Sequence, residues 1–424
     1  MAQKEGRREF LKRSVLASAG AALALSPINN TLALLTNGKK VKLGYIGVGG
    51  RGQHLLRLLF DQQISSDYEV VTICDNYQPS IDAALEIFKE YGRPVPKIFL
   101  SHQKMVKNIA LDGVVVATPL FAHAHISIDC MNAGIHVLCE KAMARTLDDT
   151  KAMYDTHIKT GSILLIGHQR IFSKVYTNAI NQIHNGKLGE IGQIRAYWHR
   201  NNDWRRPVPK NKPYLEKKIN WRLYNEYSAG LLTELMSHQL QIANWALKQN
   251  PTSVMGTGSI RYWKDGRQVD DNIALIYSYP DGTQFVYDSL NCNKKYGCQE
   301  HILGSKGAME LETNKFYSEN PPQAPGILQL INDIEKDVFR DAQIGGASWV
   351  PETAVKYEGE TIITNKQKGD GTAEELVHFI KCIQKKSAPE WILKEGYNTS
   401  IWTLLGEQAI ESGTKITCPE KYLI

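Results

Sequence analysis

The chain has 424 residues, 42% of them apolar, which is enough to bury a large core and, by length, to build two domains. Its 50 basic and 44 acidic residues leave a net charge of +6 spread along the sequence; no dense basic stripe with interleaved aromatics stands outside a short N-terminal region, which argues against nucleic acid as a partner. Seven cysteines, an odd number with no CxxC pair, argue against a zinc site or a disulfide framework, and only Cys292 and Cys298 look close enough to bridge.

The N-terminal region reads Arg7-Arg8-Glu9-Phe10-Leu11-Lys12, followed by a small-residue apolar run from Val15 to Leu25. That run is too short to span a membrane and has the length of a signal-peptide core. Residues 1–36 are therefore expected to be an export signal resembling the twin-arginine type, cleaved at Ala22-Leu23-Ala24 or nearer Asn30–Thr36, with the periplasm or another exported location as the destination. A basic amphipathic helix is the alternative. The twin-arginine route carries folded proteins, which suits a cofactor inserted before export.

Val41–Ile46 is apolar and β-favouring, so it predicts a buried strand. Gly47, Gly49 and Gly52 follow in GxGxxG spacing, with Gly50 and Arg51 between them, and Gln53–Phe60 continues as a helix-like run. In a strand–turn–helix of this kind the first glycine permits a tight turn, the second lets backbone approach a pyrophosphate, and the third packs helix on strand. The anion then rests on the helix N-terminus. A second strand, Glu69–Cys74, ends at Asp75, where an acid would accept bonds from ribose hydroxyls and repel a 2′-phosphate. The expected cofactor is NAD rather than NADP.

A helix is predicted over Ser80–Glu90, a strand over Lys97–Leu100 and a helix over His102–Ile109. The apolar run Gly113–Ala117 ends in Thr118-Pro119; a helix His123–Asn132 precedes a strand Ile135–Cys139 that ends in Glu140-Lys141. A helix Leu147–Thr160 and a strand Ile163–Ile166 complete the pattern. Strands alternating with helices, each strand a continuous apolar run, predict a doubly wound parallel sheet covered on both faces, a Rossmann domain over residues 41–167. Ligands on such sheets lie beyond the strands' carboxyl ends, where Thr118, Pro119, Glu140 and Lys141 fall.

Beyond Gly167 the pattern changes. Ile191–Trp198, Ser253–Tyr262, Asn272–Tyr279 and Thr283–Asp288 alternate apolar with polar residues, as strands with one open face do, and Pro280-Asp281-Gly282 makes a hairpin turn. Residues 168–424 are expected to form an α+β domain with an open, mainly antiparallel sheet. No linker marks the boundary, so close packing of the halves is expected. Asn314–Lys368 is expected to hold little regular structure.

Lys141 would bring an ammonium near the nicotinamide, where it could hold a substrate hydroxyl and stabilise an alkoxide; a solvated strand-end lysine is the plain alternative. Glu234 and His238 stand at helical spacing, so the carboxylate could orient the imidazole and raise its basicity. Gln169 and Arg170, leaving the last parallel strand, could reach cofactor or substrate, or pair at the domain boundary. Asn201–Arg206 and Trp221-Arg222 mix aromatics with hydrogen-bonding groups as sugar sites do, and as solvated loops also do.

These stretches together resemble the glucose-fructose oxidoreductase, inositol dehydrogenase and rhizopine catabolism protein family (Gfo/Idh/MocA), from about Lys42 to the C-terminus. The resemblance rests on Gly47–Gly52, on Val114–Pro119 with His123, on Ala133–Lys141, and on Gly230–His238 with Trp245. It implies a Rossmann domain joined to an α/β domain whose open sheet makes homo-oligomer contacts, and oxidation or reduction of a hydroxyl-bearing carbon on sugars and cyclitols. It also implies Lys141 as catalytic lysine, His238 as catalytic histidine, and Glu234 in place of the usual aspartate. His123 joins the cofactor set with Gly47, Gly49, Gly50, Arg51, Gly52, Asp75, Thr118, Pro119, Glu140, Lys141 and Gln169. Arg170, Tyr176, Trp221 and Arg222 are the candidate substrate contacts. No metal site is expected. In two places the chain departs from the family: Glu-Lys-Ala replaces Glu-Lys-Pro, and Glu234 is longer than aspartate.

The leading expectation is an NAD-dependent oxidoreductase acting on a sugar, glycoside or cyclitol with tightly held cofactor. The rival is a redox-neutral glycosidase that oxidises, eliminates, adds water and reduces again, although the Gly-His-Gly-Gly-like motif of such family members is not matched by Gly369-Asp370-Gly371-Thr372. A non-enzymatic sugar-binding protein would have no need of both Lys141 and His238.

Overall fold

A computed structural model describes residues 40–319, 359–364 and 369–424. The export-signal expectation for residues 1–36 lies outside them. The first half runs β1 (Val41–Ile46), α1 (Gly50–Phe60), β2 (Tyr68–Cys74), α2 (Gln78–Glu90), β3 (Lys97–Phe99), α3 (His102–Asn108), β4 (Gly113–Val116), α4 (His123–Asn132), β5 (His136–Glu140), α5 (Leu147–Thr160) and β6 (Leu164–Gly167). The six strands form one parallel sheet in the order β3-β2-β1-β4-β5-β6. Every residue of β4 is buried, as a strand covered on both faces requires.

The second half adds α6 (Lys174–His184), β7 (Ile191–His199), a π-helical turn (Leu232–Met236), α7 (Ser237–Leu247), β8 (Ser253–Ser259), β9 (Asn272–Ser278), β10 (Gln284–Leu290), β11 (Cys298–Gly304), β12 (Gly307–Glu310), β13 (Lys315–Ser318), β14 (Glu360–Thr361), α8 (Thr372–Lys385), α9 (Glu390–Ser412) and β15 (Ile416–Thr417). Its sheet has nine strands in the order β14-β13-β12-β11-β7-β10-β9-β8-β15. All neighbours are antiparallel except β7 and β10, which run parallel with Ile194 opposite Phe285. Along β9, Ile273, Leu275 and Tyr277 are buried while Asn272, Ala274 and Ile276 are exposed, so one face packs and the other is open. Asn314–Lys368, read as lacking regular structure, contributes β13 and β14 to the sheet's edge; residues 320–358 and 365–368 lie outside the description.

Helix α9 explains why no linker is needed. A Cβ on Gly396 would come within 2.8 Å of Ile166 in β6, and one on Gly406 within 2.3 Å of the Tyr277 hydroxyl in β9, so glycine lets one helix lie close against both sheets. Helix α8 returns to the first half, where Leu376, Phe379, Ile380 and Ile383 share a core with Leu55, Leu59 and Val115. None of the described helices is long and apolar enough to cross a membrane. All seven cysteines are free, Cys292 and Cys298 included.

Candidate functional site

A cavity of about 1460 Å³ lies at the carboxyl ends of β1, β2, β4 and β5, between the two halves. Its nucleotide end is the glycine turn. Gly47 has φ +86°, and a Cβ there would strike the Ala117 backbone at 2.7 Å; a Cβ on Gly52 would meet the Gly47 carbonyl at 2.2 Å. Nothing lies within 4 Å of the Cβ direction of Gly49, so the middle of the turn is open to the cavity. Asp75 Oδ2 accepts from the Val48 amide at 2.9 Å and Oδ1 from Tyr77 at 2.9 Å, which fixes the carboxylate beside the turn. Thr118 and Pro119 line the cavity, and Thr118 Oγ1 is buried without a partner among the described residues. The open Gly49, the α1 N-terminus, the placed carboxylate and the orphaned hydroxyl fit a dinucleotide.

Arg51 and Glu140 both line the cavity and bind each other, Nε to Oε1 at 2.5 Å. His123 lines it too, but its two ring nitrogens face the carbonyls of Ala142 at 2.9 Å and Thr118 at 3.0 Å. It therefore braces the loops after β4 and β5. The Lys141–Ala142 peptide is cis.

Lys141 Nζ donates to the carbonyls of Thr233 and Glu234, each at 2.8 Å. An ammonium has three donors, so two hold the lysine to the π-turn and one remains for the cavity. Burial pushes the Lys141 pKa down against the pull of Glu234 and Glu140. His238 is the second residue of the helix that follows the same turn, and it lines the cavity with Nδ1 buried and, among the described residues, unpartnered, which leaves Nε2 to face the space. Burial, then the charges of Lys141 and Arg170, drive its pKa well below the ordinary histidine value, so the ring is neutral.

The expected Glu234–His238 pair does not form. Glu234 Oε2 accepts from Arg222 Nε at 2.6 Å and Oε1 from Ser228 Oγ at 3.4 Å. The π-turn over Leu232–Met236 is wider than an α-helical turn and takes the two side chains off a common face. Burial alone would raise the Glu234 carboxyl, but Arg222 and Lys141 outweigh it and hold the group ionised. Trp221 lines the cavity under the Arg222 guanidinium, 4.2 Å from its ring centre.

Gly52, which packs on the Gly47 carbonyl, and three other expected contacts, Gln169, Arg170 and Tyr176, fall outside the cavity lining. Gln169 Nε2 binds Asp370 Oδ2 at 3.1 Å and so fixes the turn before α8. Arg170 is buried: it pairs with Glu300, binds Glu312 at 2.6 Å, and stacks on Tyr176 and Trp198. The Tyr176 hydroxyl donates to Glu300 at 2.8 Å and Glu312 at 2.7 Å. Arg170 and Tyr176 thus act as one structural ion cluster, because the acids that claim them arrive from β11 and the turn after β12. Among the described residues, Cys298, Glu300 and Glu312 make the one group spaced to hold a metal, and the Arg170 guanidinium already supplies its positive charge.

The sequence reading did not single out His168, whose two ring nitrogens are buried without partners among the described residues, 6.4 Å, ring to ring, from His238. Burial, then Lys141, brings its pKa down to about 3. It also missed the lip formed by Phe121 and Tyr227, rings 4.7 Å apart, and the lysines Lys217 and Lys218. The only sequence signal for Lys217, Lys218 and Tyr227 is an aromatic-basic mixture between Asn201 and Tyr227, and Phe121 has none.

Residues 41–168 match the sequence profile described as the oxidoreductase family, NAD-binding Rossmann fold (GFO_IDH_MocA), and residues 176–310 match that of the GFO/IDH/MocA C-terminal domain; together they span more than half of the chain. A glycosyl hydrolase family 109 protein of Stenotrophomonas maltophilia is 30% identical over 200 residues, 46% of this chain and 42% of that one, so that match spans less than half of the relative. The alpha-N-acetylgalactosaminidase of Shewanella oneidensis is 25% identical over 460 residues, covering 96% of this chain and 93% of that one. Levoglucosan dehydrogenase, solved with NADH and levoglucosan, shares the fold with a TM-score of 0.68 at 19% identity, over 90% of this chain and 100% of that one.

Proposed function

The chain belongs to the Gfo/Idh/MocA family of oxidoreductases, with an NAD-binding Rossmann domain, and from that premise we propose that it oxidises a hydroxyl-bearing carbon of a sugar, glycoside or cyclitol. The observation that carries the reading is the lysine: two of its three N–H groups are tied to the turn that leads into His238, and the third is left for a substrate oxygen. Bound NAD would supply hydride acceptance. Neutral His238 takes the hydroxyl proton on Nε2, and Lys141 holds the same oxygen and balances its developing negative charge. Trp221 and Arg222 offer a sugar-binding wall beside them. Incubation with NAD and a panel of sugars and glycosides, read by nicotinamide absorbance, tests this. No reduction by any of them, and no turnover of glycosides, would end it.

A second reading keeps the same residues for a redox-neutral glycoside cleavage in which oxidation acidifies the neighbouring C–H, the leaving group departs by elimination, water adds, and the carbonyl is reduced again. The relative in Shewanella oneidensis, matched along 96% of this chain and named for α-N-acetylgalactosaminide cleavage, favours it. Release of the aglycone without net accumulation of NADH would select it over the first.

Two further expectations stand with these proposals. The Arg7-Arg8 region directs export by the twin-arginine route, so Arg7→Lys/Arg8→Lys should leave the protein in the cytoplasm on fractionation. The open sheet face carries Met255 and Ile276 opposite one another, 50% and 38% exposed, and would meet a second copy; sedimentation of Met255→Lys should then show smaller species than the wild type.

A further inference from the structure

Six lysines and arginines line the cavity, and five have acceptors. Arg51 is tied to Glu140, Lys141 to the carbonyls of Thr233 and Glu234, and Arg222 to Glu234. Lys217 binds Glu226 at 3.0 Å, and Lys218 donates to the Asn76 carbonyl at 2.8 Å across the cleft. The Arg206 guanidinium has no acceptor among the described residues.

Its position is built. The Arg206 amide donates to Asn220 Oδ1 at 2.7 Å and its carbonyl accepts from Asn220 Nδ2 at 3.0 Å, so a buried asparagine clips the backbone on both sides. The preceding Arg205 is matched by Glu216 and by Asp265, Nε to Oδ2 at 3.1 Å, and anchors the segment to the second half. Among the described residues nothing comparable engages the Arg206 side chain. Its Nη2 instead lies 3.9 Å from where a Cβ on Gly50, the first residue of α1, would stand. That turn has no acidic residue and no side-chain cap on Gly49, so its N–H groups are also without a side-chain acceptor. The Arg206 guanidinium, on an exposed side chain, and the N-terminus of α1 line the same cavity, and together they suit an anion bearing several oxygens.

We propose that Arg206 is a cofactor-binding residue contributed by the second half of the molecule, its guanidinium pairing with the pyrophosphate of bound NAD opposite the amides of the glycine turn. This rests on the NAD reading of the cleft and adds to it a contact from beyond the Rossmann domain. The pyrophosphate is thereby gripped from both halves, and the dinucleotide cannot leave without breaking a contact to each.

Calorimetric titration of the full chain with NAD, ADP-ribose and adenosine tests the assignment. Arg206→Gln should weaken NAD and ADP-ribose about tenfold or more, the scale of one charge-assisted bond, and Arg206→Lys should recover part of the loss. Adenosine, which lacks the pyrophosphate, should bind as it does to wild type. The thermal midpoint of nucleotide-free Arg206→Gln should not move, since its guanidinium has no acceptor among the described residues. Lys210→Gln, exposed on the same segment and outside the cavity lining, should change none of the three affinities. Unchanged NAD affinity in Arg206→Gln, or an equal loss for adenosine or for Lys210→Gln, would overturn the assignment. A wild type that binds no NAD would overturn the cofactor reading along with it, which distinguishes the two failures.

Discussion

Two clusters of charge touch Trp198, one through Arg170 and the other through His238, and they are finished to different degrees. Around Arg170 the charges answer one another: Glu300 and Glu312 take the guanidinium, Tyr176 bonds to both acids, and Cys298 Sγ lies 3.5 Å from Nη2. Around Lys141 groups are left over. One ammonium N–H, both nitrogens of His168, Nδ1 of His238 and Oγ1 of Thr118 have no partner among the described residues. Unmatched buried polar groups cost stability, and a fold keeps them where a ligand supplies the missing partner. The matched cluster therefore reads as structure and the unmatched one as function.

The largest expected effect that separates the clusters is on turnover. Lys141→Met and His238→Ala should each lower single-turnover nicotinamide reduction by about 10²–10⁴, the usual range for losing a proton-transfer group, with NAD affinity nearly unchanged. Near-native rates in either variant would move the chemistry elsewhere. The converse holds at Arg170. Arg170→Met strands Glu300, which has 0% of its side chain exposed, and should cost about 3–5 kcal/mol of stability in denaturant unfolding. A loss below about 1 kcal/mol would show that the cluster is not the structural element described.

The unmatched site also carries a pH signature. His168 titrates near 6.5 in the unfolded chain and at about 3 in the folded one, so between these values the unfolded state binds the extra proton. Stability contributed by the neutral ring is complete above pH 6.5 and is lost as pH falls, amounting to about 2 kcal/mol by pH 5. Urea unfolding of His168→Asn at pH 7 and pH 5 should show a correspondingly smaller drop than wild type; equal drops would contradict the buried neutral ring. Smallest of all, Asp75→Ala should weaken NAD by about tenfold through loss of a charge-assisted contact, and narrow the preference over NADP, as read by binding titration.

How much of this was legible in the sequence depended on where the determining partner lay. Helix α5 was read to both ends because its signals are local: Thr146 Oγ1 accepts from the Asp149 amide at 3.1 Å and Gly161 closes the helix at φ +67°. The β9–β10 hairpin was legible for the same reason, with Gly282 at φ +90° in its turn. The parallel pairing of β10 with β7 was not, since nothing in either strand names a neighbour so distant in sequence. The site divides likewise. Lys141 and His238 were placed from strand-end position and motif, and the structure brings both to one cavity. The Glu234–His238 pair was misread because a π-turn replaces the α-helical one, and its carbonyls are held by a lysine from the other half. Nothing near Arg170 and Tyr176 in sequence reveals their pairing, because their acids lie more than a hundred residues away.

The central claim is that Lys141 and His238 act together on one substrate oxygen and its proton. The most direct measurement is the single-turnover rate of nicotinamide reduction in wild type, Lys141→Met, His238→Ala and the double variant, with one substrate and saturating NAD. Groups acting as a unit are not additive, so the double variant should be little slower than the slower single one. Losses that multiply across the two sites would contradict a shared oxygen and place the two residues in separate steps.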